Sequence, residues 1–332
     1  MGQSFGRTDL NKHTTEDLKR LQALPLSVKI GVTQTRIMEW HTKYNGKCAV
    51  NFSGGVDSTV LLDLARRCYP DIPAVFVDTT LEFPEIVEFV NSKPNVTTIK
   101  PQFCKTCVNC AEGCFPKIVR THGWNYPSKD VAMTIRYARR GSPWALNRIN
   151  GLQPNGSESA WKKSMYGRWA FLVDAPYLIS DECCNILKKK PLVKWHKQMG
   201  YTPIVGTLAS ESRRRRDAWL LTGCNAFDTK NPISKPLSFW TQSDILRYIR
   251  DFNIPYASIY GDIVEGKDGK LKTTGAKQTG CSLCPTACHL DNPNKYQRMK
   301  KTHPELWEYG INSLGLGEFL DFLGVDYGGE KL

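Results

Sequence analysis

Apolar residues in this chain come in short runs separated by longer amphipathic segments. Residues 48–52 form an apolar run of strand length and residues 74–78 a second one, and 95–100 reads as a third strand. A helix begins within 60–65 and another covers 85–91. Ahead of them, apolar or amphipathic positions at Leu18, Leu21, Val28, Ile37 and Trp40 predict helix across 14–44. Strands alternating with helices predict an α/β fold built on a parallel, helix-covered sheet. From about 101 to 175 the alternation stops, in a cysteine- and aromatic-rich stretch with a Gly-Ser-Asn-Pro loop at 150–159, which reads as an insertion. Helix is predicted again over 180–198, strand over 202–206, and helix over 210–221 and 242–252. The polar, glycine-rich stretch 261–280 is expected to be a mobile flap, and short helices near 293–301 and 304–312 form a small helical C-terminal part.

Composition narrows the class. An apolar fraction of 41% in 332 residues is that of a globular chain. No run approaches the roughly 18 apolar residues that would span a bilayer. Residues 1–12 lack the apolar centre of a secretory signal, so a cytoplasmic location with no membrane partner is expected. The formal charge of +13 suits a polyanion such as nucleic acid, or a small anionic substrate. Twelve cysteines without a signal peptide point to metal ligation before disulfides.

Between the first strand and its helix lies Ser53-Gly54-Gly55-Val56-Asp57-Ser58-Thr59. The glycines let the backbone turn tightly and bring its N–H groups to a phosphate. Ser53, Ser58 and Thr59 add hydroxyls, and the positive end of the following helix faces the anion. Asp57 either caps that helix or holds Mg²⁺. An ordinary strand–helix turn with Ser and Asp caps is the alternative. The run lacks the Gly-Lys-Thr ending of a kinase-type loop.

The run resembles the SGGxDS signature of PP-loop ATP pyrophosphatases and phosphoadenylyl-sulfate reductases. Asp78-Thr79-Thr80-Leu81-Glu82-Phe83-Pro84-Glu85 is similar to that family's DTGLEFPE segment, with Thr80 where the pattern has Gly. Gly206-Thr207-Leu208-Ala209-Ser210-Glu211-Ser212-Arg213-Arg214-Arg215 resembles its Gly…Ser-x-x-Arg segment. The resemblance implies an adenine nucleotide α-hydrolase-like sheet, with ATP or another adenine nucleotide at the carboxyl ends of the strands. It places Asp78, Thr79, Gly206, Ser212 and Arg215 at that ligand, with Asp57 and Arg215 as the catalytic pair. Arg213 to Arg216 cover one helical turn, so only one or two can face a site, and a guanidinium forks well onto phosphate oxygens.

Two cysteine sets stand apart from this loop. Cys183-Cys184 and Cys281-x-x-Cys284 together offer four thiolates, enough for a [4Fe–4S] cluster or for zinc. Adenylyl-sulfate reductases carry such a CC…CxxC arrangement with a basic segment and Pro-Leu, as in Lys188-Lys189-Lys190-Pro191-Leu192, and the resemblance implies the cluster. Cys104-x2-Cys107-x2-Cys110-x3-Cys114 has ferredoxin-like spacing, for a second Fe–S cluster or Zn²⁺. Cys288 and Cys224 are candidate extra ligands or active thiols, while Cys48 and Cys68 read as core. The Glu-Cys-Gly-Leu-His context that carries the nucleophile of sulfate-reducing members has no match here.

The expected organisation is a helical segment over 1–45, a PP-loop domain over 46–260 with the insertion, and a cluster-binding, helical region over 261–332. The expected activity is iron–sulfur-dependent sulfur transfer. An oxygen is adenylated with release of pyrophosphate, and a sulfur nucleophile then displaces AMP. DNA or tRNA is the expected acceptor, with a cysteine desulfurase as sulfur donor. Relatives of this kind include the DNA phosphorothioation sulfurtransferase and cluster-dependent tRNA thiolases. Trp124, Tyr126, Tyr137, Trp144, Trp161, Tyr166 and Trp169 are candidates for stacking on bases. The alternatives are a sulfonucleotide reductase using Cys288 or Cys114, and a nucleotide-gated redox sensor without turnover.

Overall fold

The computed structural model describes residues 12–101, 110–153, 155–159, 165–227 and 229–329, and of residues 110–114, 165 and 166 the backbone only. The described residues fall into two compact units interleaved along the chain. One takes the chain up to Asp78, Glu82–Ile99 and Pro191–Thr279, and the other takes Thr79–Leu81, Lys100–Lys190 and Gly280 onward.

The first unit is an α/β layer structure. Its strands are β1 (Cys48–Asn51), β2 (Ala74–Val77), β3 (Val96–Ile99), β4 (Thr202–Val205), β5 (Asn225–Ala226) and β6 (Ile233–Ser234), in spatial order β3-β2-β1-β4-β6-β5. β1 pairs in parallel with β2 on one side and β4 on the other, with Asn51 opposite Val205. β5 alone runs antiparallel to its neighbour. β1 and β2 are buried almost throughout, which is why they read as unbroken apolar runs rather than alternating ones. Ala49, Val75 and Trp195 form a core cluster, with Ile99, Leu192 and Tyr201 packed on it. Strand order reverses between β1 and β4, and ligand crevices of open parallel sheets form at such a switch point.

The predicted 14–44 helix is two, Thr15–Gln22 and Leu26–Lys43, because Pro25 cannot continue the first and starts the second instead. β5 and β6, two residues each, were too short to leave a pattern. The stretch 261–280 is not a featureless flap: it carries the antiparallel hairpin β7 (Ile263–Glu265) and β8 (Leu271–Thr273), packed on the helix Gln242–Asp251.

The second unit is helical. Cys110–His122, Lys129–Ala138 and Pro143–Ile149 build the former insertion, and Lys295–Thr302, Pro304–Glu308 and Leu316–Phe322 build the C-terminal part. Trp124, Tyr126, Trp169 and Phe319 are buried and pack ring against ring, so three of the seven stacking candidates are core. Tyr137 and Trp144 are exposed, Trp161 lies outside the described residues, and so does the side chain of Tyr166. Among the described residues no helix is long and apolar enough to cross a membrane.

Candidate nucleotide loop and cysteine site

The carboxyl end of β1 runs straight into the glycine turn. Gly54 has φ +73°, and a Cβ there would lie 2.8 Å from Ile86 Cγ2 and 2.9 Å from Val90 Cγ2. The turn therefore needs glycine for both conformation and room. Gly54→Ala is expected to cost about 1–3 kcal/mol. Thermal unfolding checks this, and an unchanged midpoint would show that the helix Pro84–Asn91 gives way instead.

Gly55 starts the helix Val56–Cys68 without a side-chain cap. Ser58 ties the turn together: its Oγ accepts from Ser53 N–H at 3.1 Å, lies 3.0 Å from Ser53 Oγ, and donates to Gly55 O at 2.9 Å. Thr59 donates to the same carbonyl at 3.0 Å. The first helical N–H, that of Val56, donates to the Tyr260 hydroxyl at 3.3 Å, and Thr279 Oγ1 lies 2.7 Å from that hydroxyl. A hydroxyl oxygen thus sits on the helix start where an anion's oxygen would be received.

Asp57 does not cap the helix. Its Oδ1 is buried and has no hydrogen-bond partner, and burial pushes its carboxyl up to about 6, partly countered by Arg215. Arg215 also pairs with Glu211, whose other oxygen accepts from Gln278 at 3.4 Å. Arg213 and Arg216 pair instead with Asp217 at 3.8 Å and 3.9 Å. One arginine of the run faces the loop, as helical spacing requires. Gly206, at the end of β4, brings its backbone against the same turn, since a Cβ there would be 3.0 Å from Asp57 O. Ser212 caps the helix Arg213–Thr222 by accepting from Arg215 N–H at 3.3 Å. Behind the turn, His196 Nε2 lies 2.6 Å from Asn51 Oδ1 and fixes the last residue of β1.

Asp78 closes β2 by donating its N–H to Ile99 O at 2.9 Å. Thr79 belongs to the second unit, fully buried, with its hydroxyl 3.9 Å from Cys281 Sγ. Thr80 takes φ +60°, which the family's glycine adopts freely and a β-branched residue rarely does. Leu81 O accepts from Ser282 N–H at 2.6 Å.

In the second unit Cys183, Cys184, Cys281 and Cys284 line one cavity, walled by Val119, Trp124, Leu187 and Pro285. Cys183 and Cys184 end a short helix that runs into a π-turn at Asn185–Lys189, a distortion common at functional sites. Hydrogen bonding from Cys183 holds the Cys184 thiol well below its usual range against burial, helped by Lys129, Lys188 and Asn125. Cys183 is driven up by the same bond and by burial. Of the pair, Cys184 is the more readily ionised. Lys295 donates to the carbonyls of Cys281, at 3.5 Å, and of Cys284, and Tyr296 donates to Leu283 O at 3.3 Å, so the helix Lys295–Thr302 clamps the CxxC turn. Among the described residues no three His, Cys, Asp or Glu side chains converge on a single-ion site.

Of the second cysteine set, Cys104 and Cys107 lie outside the described residues, and Cys110 and Cys114 fall on the Cys110–His122 helix with their side chains undescribed. Cys288 is buried, its thiol pushed up to about 12, and is not on the four-cysteine cavity. Cys224 is also buried, 3.5 Å from Ser238 Oγ. Tyr260, Thr279, Glu211, Asn125 and Lys295 were not singled out from sequence. The signals were the hydroxyl-rich end of 261–280 for Thr279 and the i,i+4 spacing of Glu211 to Arg215; Tyr260 and Asn125 act across 204 and 59 residues.

Residues 47–129 and 146–287 match the family model of the phosphoadenosine phosphosulfate reductase domain. Similar curated proteins include the adenosine 5'-phosphosulfate reductase of Staphylococcus haemolyticus, 23% identical over 68% of this chain and 70% of that protein. The enzyme of the same name from Lysinibacillus sphaericus is 22% identical over 75% and 78%. A solved structure of phosphoadenylyl-sulfate (PAPS) reductase from Candida auris, as a phosphate complex, aligns at TM-score 0.38 and 15% identity over 74% of this chain and 90% of that one.

Proposed function

The chain belongs to the phosphoadenosine phosphosulfate reductase domain family, and from that premise we propose that it is an iron–sulfur sulfur-transfer enzyme that activates an acceptor oxygen with ATP. The observation that carries this reading is the Asp57 carboxylate, whose buried Oδ1 has no hydrogen-bond partner, beside a phosphate-type turn and facing Arg215. A carboxylate left in that state suits Mg²⁺, which would supply its missing partner and neutralise phosphate charge. Asp57 would hold the metal. The N–H groups of the turn and the start of Val56–Cys68 would receive pyrophosphate oxygens, and Arg215 would fork onto the phosphate that stays with adenosine. Their work is placement and charge stabilisation while the acceptor oxygen attacks the α-phosphorus and pyrophosphate leaves.

Four thiols around one cavity, with Cys184 held towards its ionised form, fit a [4Fe–4S] cluster held by Cys183, Cys184, Cys281 and Cys284. Bound there, the cluster would supply the sulfur chemistry. The +13 charge supports nucleic acid, DNA or tRNA, as the acceptor, with a cysteine desulfurase as donor.

A second reading, sulfonucleotide reduction, is favoured by the adenosine 5'-phosphosulfate reductases among the relatives. It needs a nucleophilic thiol, and Cys288 is a poor one because burial keeps it protonated. Pyrophosphate exchange into ATP, measured beside thioredoxin-dependent sulfite release from adenosine 5'-phosphosulfate, separates the readings. Mg²⁺-dependent exchange without sulfite is expected. Sulfite without exchange would replace sulfur transfer with reduction, and nucleotide binding with neither would leave a sensor.

A further inference from the structure

We propose that Tyr137 and Trp144, with the arginines around them, form a stacking platform for single-stranded nucleic acid that feeds the cysteine site. This rests on the sulfur-transfer reading above and names the partner that reaches its second unit. Single exposed aromatics are ordinary. Here two lie together, with ring centroids 5.5 Å apart and planes tilted by 54°. Tyr137 is 36% exposed and Trp144 43%, whereas Trp124, Tyr126 and Trp169 of the same unit are buried.

The surroundings carry a basic excess, although Arg136 pairs with Asp181 and Glu182, Arg148 pairs with Asp130, and Arg139 donates to Leu172 O and Ala175 O. Residues 128–150 carry five basic side chains, Lys129, Arg136, Arg139, Arg140 and Arg148, against the single acid Asp130. Arg140 is exposed beside Tyr137 in sequence. Aromatic faces that accept bases, set among arginines that take phosphates, are how proteins hold single strands. Charge and rings together favour a nucleic-acid strand over an apolar protein face as the occupant.

The platform is also tied to the vicinal cysteines. The Arg136 guanidinium lies 4.6 Å over the Tyr137 ring. The same group reaches Asp181 Oδ1 at 2.9 Å and Glu182 Oε1 at 3.2 Å, the two residues immediately before Cys183-Cys184. Tyr137 is near the end of the helix Lys129–Ala138, and Lys129 at its start acts electrostatically on Cys184. Eight residues of helix separate them, so the Tyr137 end of the pair lies about 12 Å along the helix from the lysine that acts on Cys184.

Fluorescence anisotropy with labelled 20-nucleotide single strands, one DNA and one RNA, tests this on the full chain. The native protein should bind at least one of them more tightly than the matching duplex. Trp144→Ala should weaken binding about ten-fold or more, the scale of one lost stacking contact, while Trp144→Phe keeps most of it. Arg140→Gln should lower the slope of log affinity against log salt by about 0.7, one phosphate contact fewer. Pyrophosphate exchange by the native protein, measured with the bound strand present as the acceptor, reports on the adenylation reading separately. Native-like binding by Trp144→Ala, equal affinity for duplex, or no oligonucleotide binding would overturn the platform, even where exchange persists. Loss of exchange with stacking-dependent binding intact would count against the adenylation reading and support the platform.

Discussion

An Asp57→Asn variant should unfold at a higher temperature than the native chain at pH 8, yet exchange pyrophosphate about a hundred- to a thousand-fold more slowly. Both effects have one origin. Burial raises the Asp57 carboxyl from 3.8 to about 6, the cost of keeping a charge without a partner. At about 1.36 kcal/mol per pH unit this removes up to about 3 kcal/mol from the folded state at neutral pH. The sign follows from linkage. Between about pH 4 and 6 the folded chain holds more protons than the unfolded one, so native stability falls as pH rises through that window and levels above it. Asparagine removes this dependence. The difference in unfolding temperature between variant and native protein should be largest at pH 8 and should shrink towards pH 4. Calorimetry across that range checks it. A variant less stable than the native chain at pH 8 would mean that the carboxylate is structural, satisfied by Arg215 and not waiting for a metal.

The second large effect concerns Cys184. Replacing it with serine removes a thiol held towards its ionised form, and with it the hydrogen bond from Asn125 Nδ2 at 3.7 Å. Cys184→Ser should lose most of the broad visible absorbance of the anaerobically purified protein. It should also unfold several degrees lower, because metal-site binding energy is folding energy. Cys288→Ala should keep the absorbance, since Cys288 is off the cavity, and any loss of stability there comes from its buried volume alone. Equal loss of colour in both variants would place the ligands elsewhere.

How much of this was legible in the sequence depended on range. β1 and β2 were visible because buried parallel strands are continuous apolar runs, and the glycine turn because its whole seven-residue string sits between a strand and a helix. Helical spacing allowed only one or two arginines of the run to face the loop and the family resemblance singled out Arg215, but only the structure shows Asp57 opposite it. Each cysteine pair is a local pattern. That Cys183-Cys184 and Cys281-x-x-Cys284 share one cavity is a fact of packing across about a hundred residues, and the Lys295 clamp on the CxxC turn depends on how the intervening loop folds back. Aromatics gave the weakest signal: Trp124 and Trp144 look alike in sequence, and only burial separates a core ring from an exposed one.

Iron, zinc and acid-labile sulfide, measured together on anaerobically purified protein, test the central claim most directly. The account predicts iron and sulfide in equal amounts, with zinc negligible, and loss of the share held by the four-cysteine cavity in Cys184→Ser. Zinc in place of iron, or neither metal nor sulfide, would contradict it.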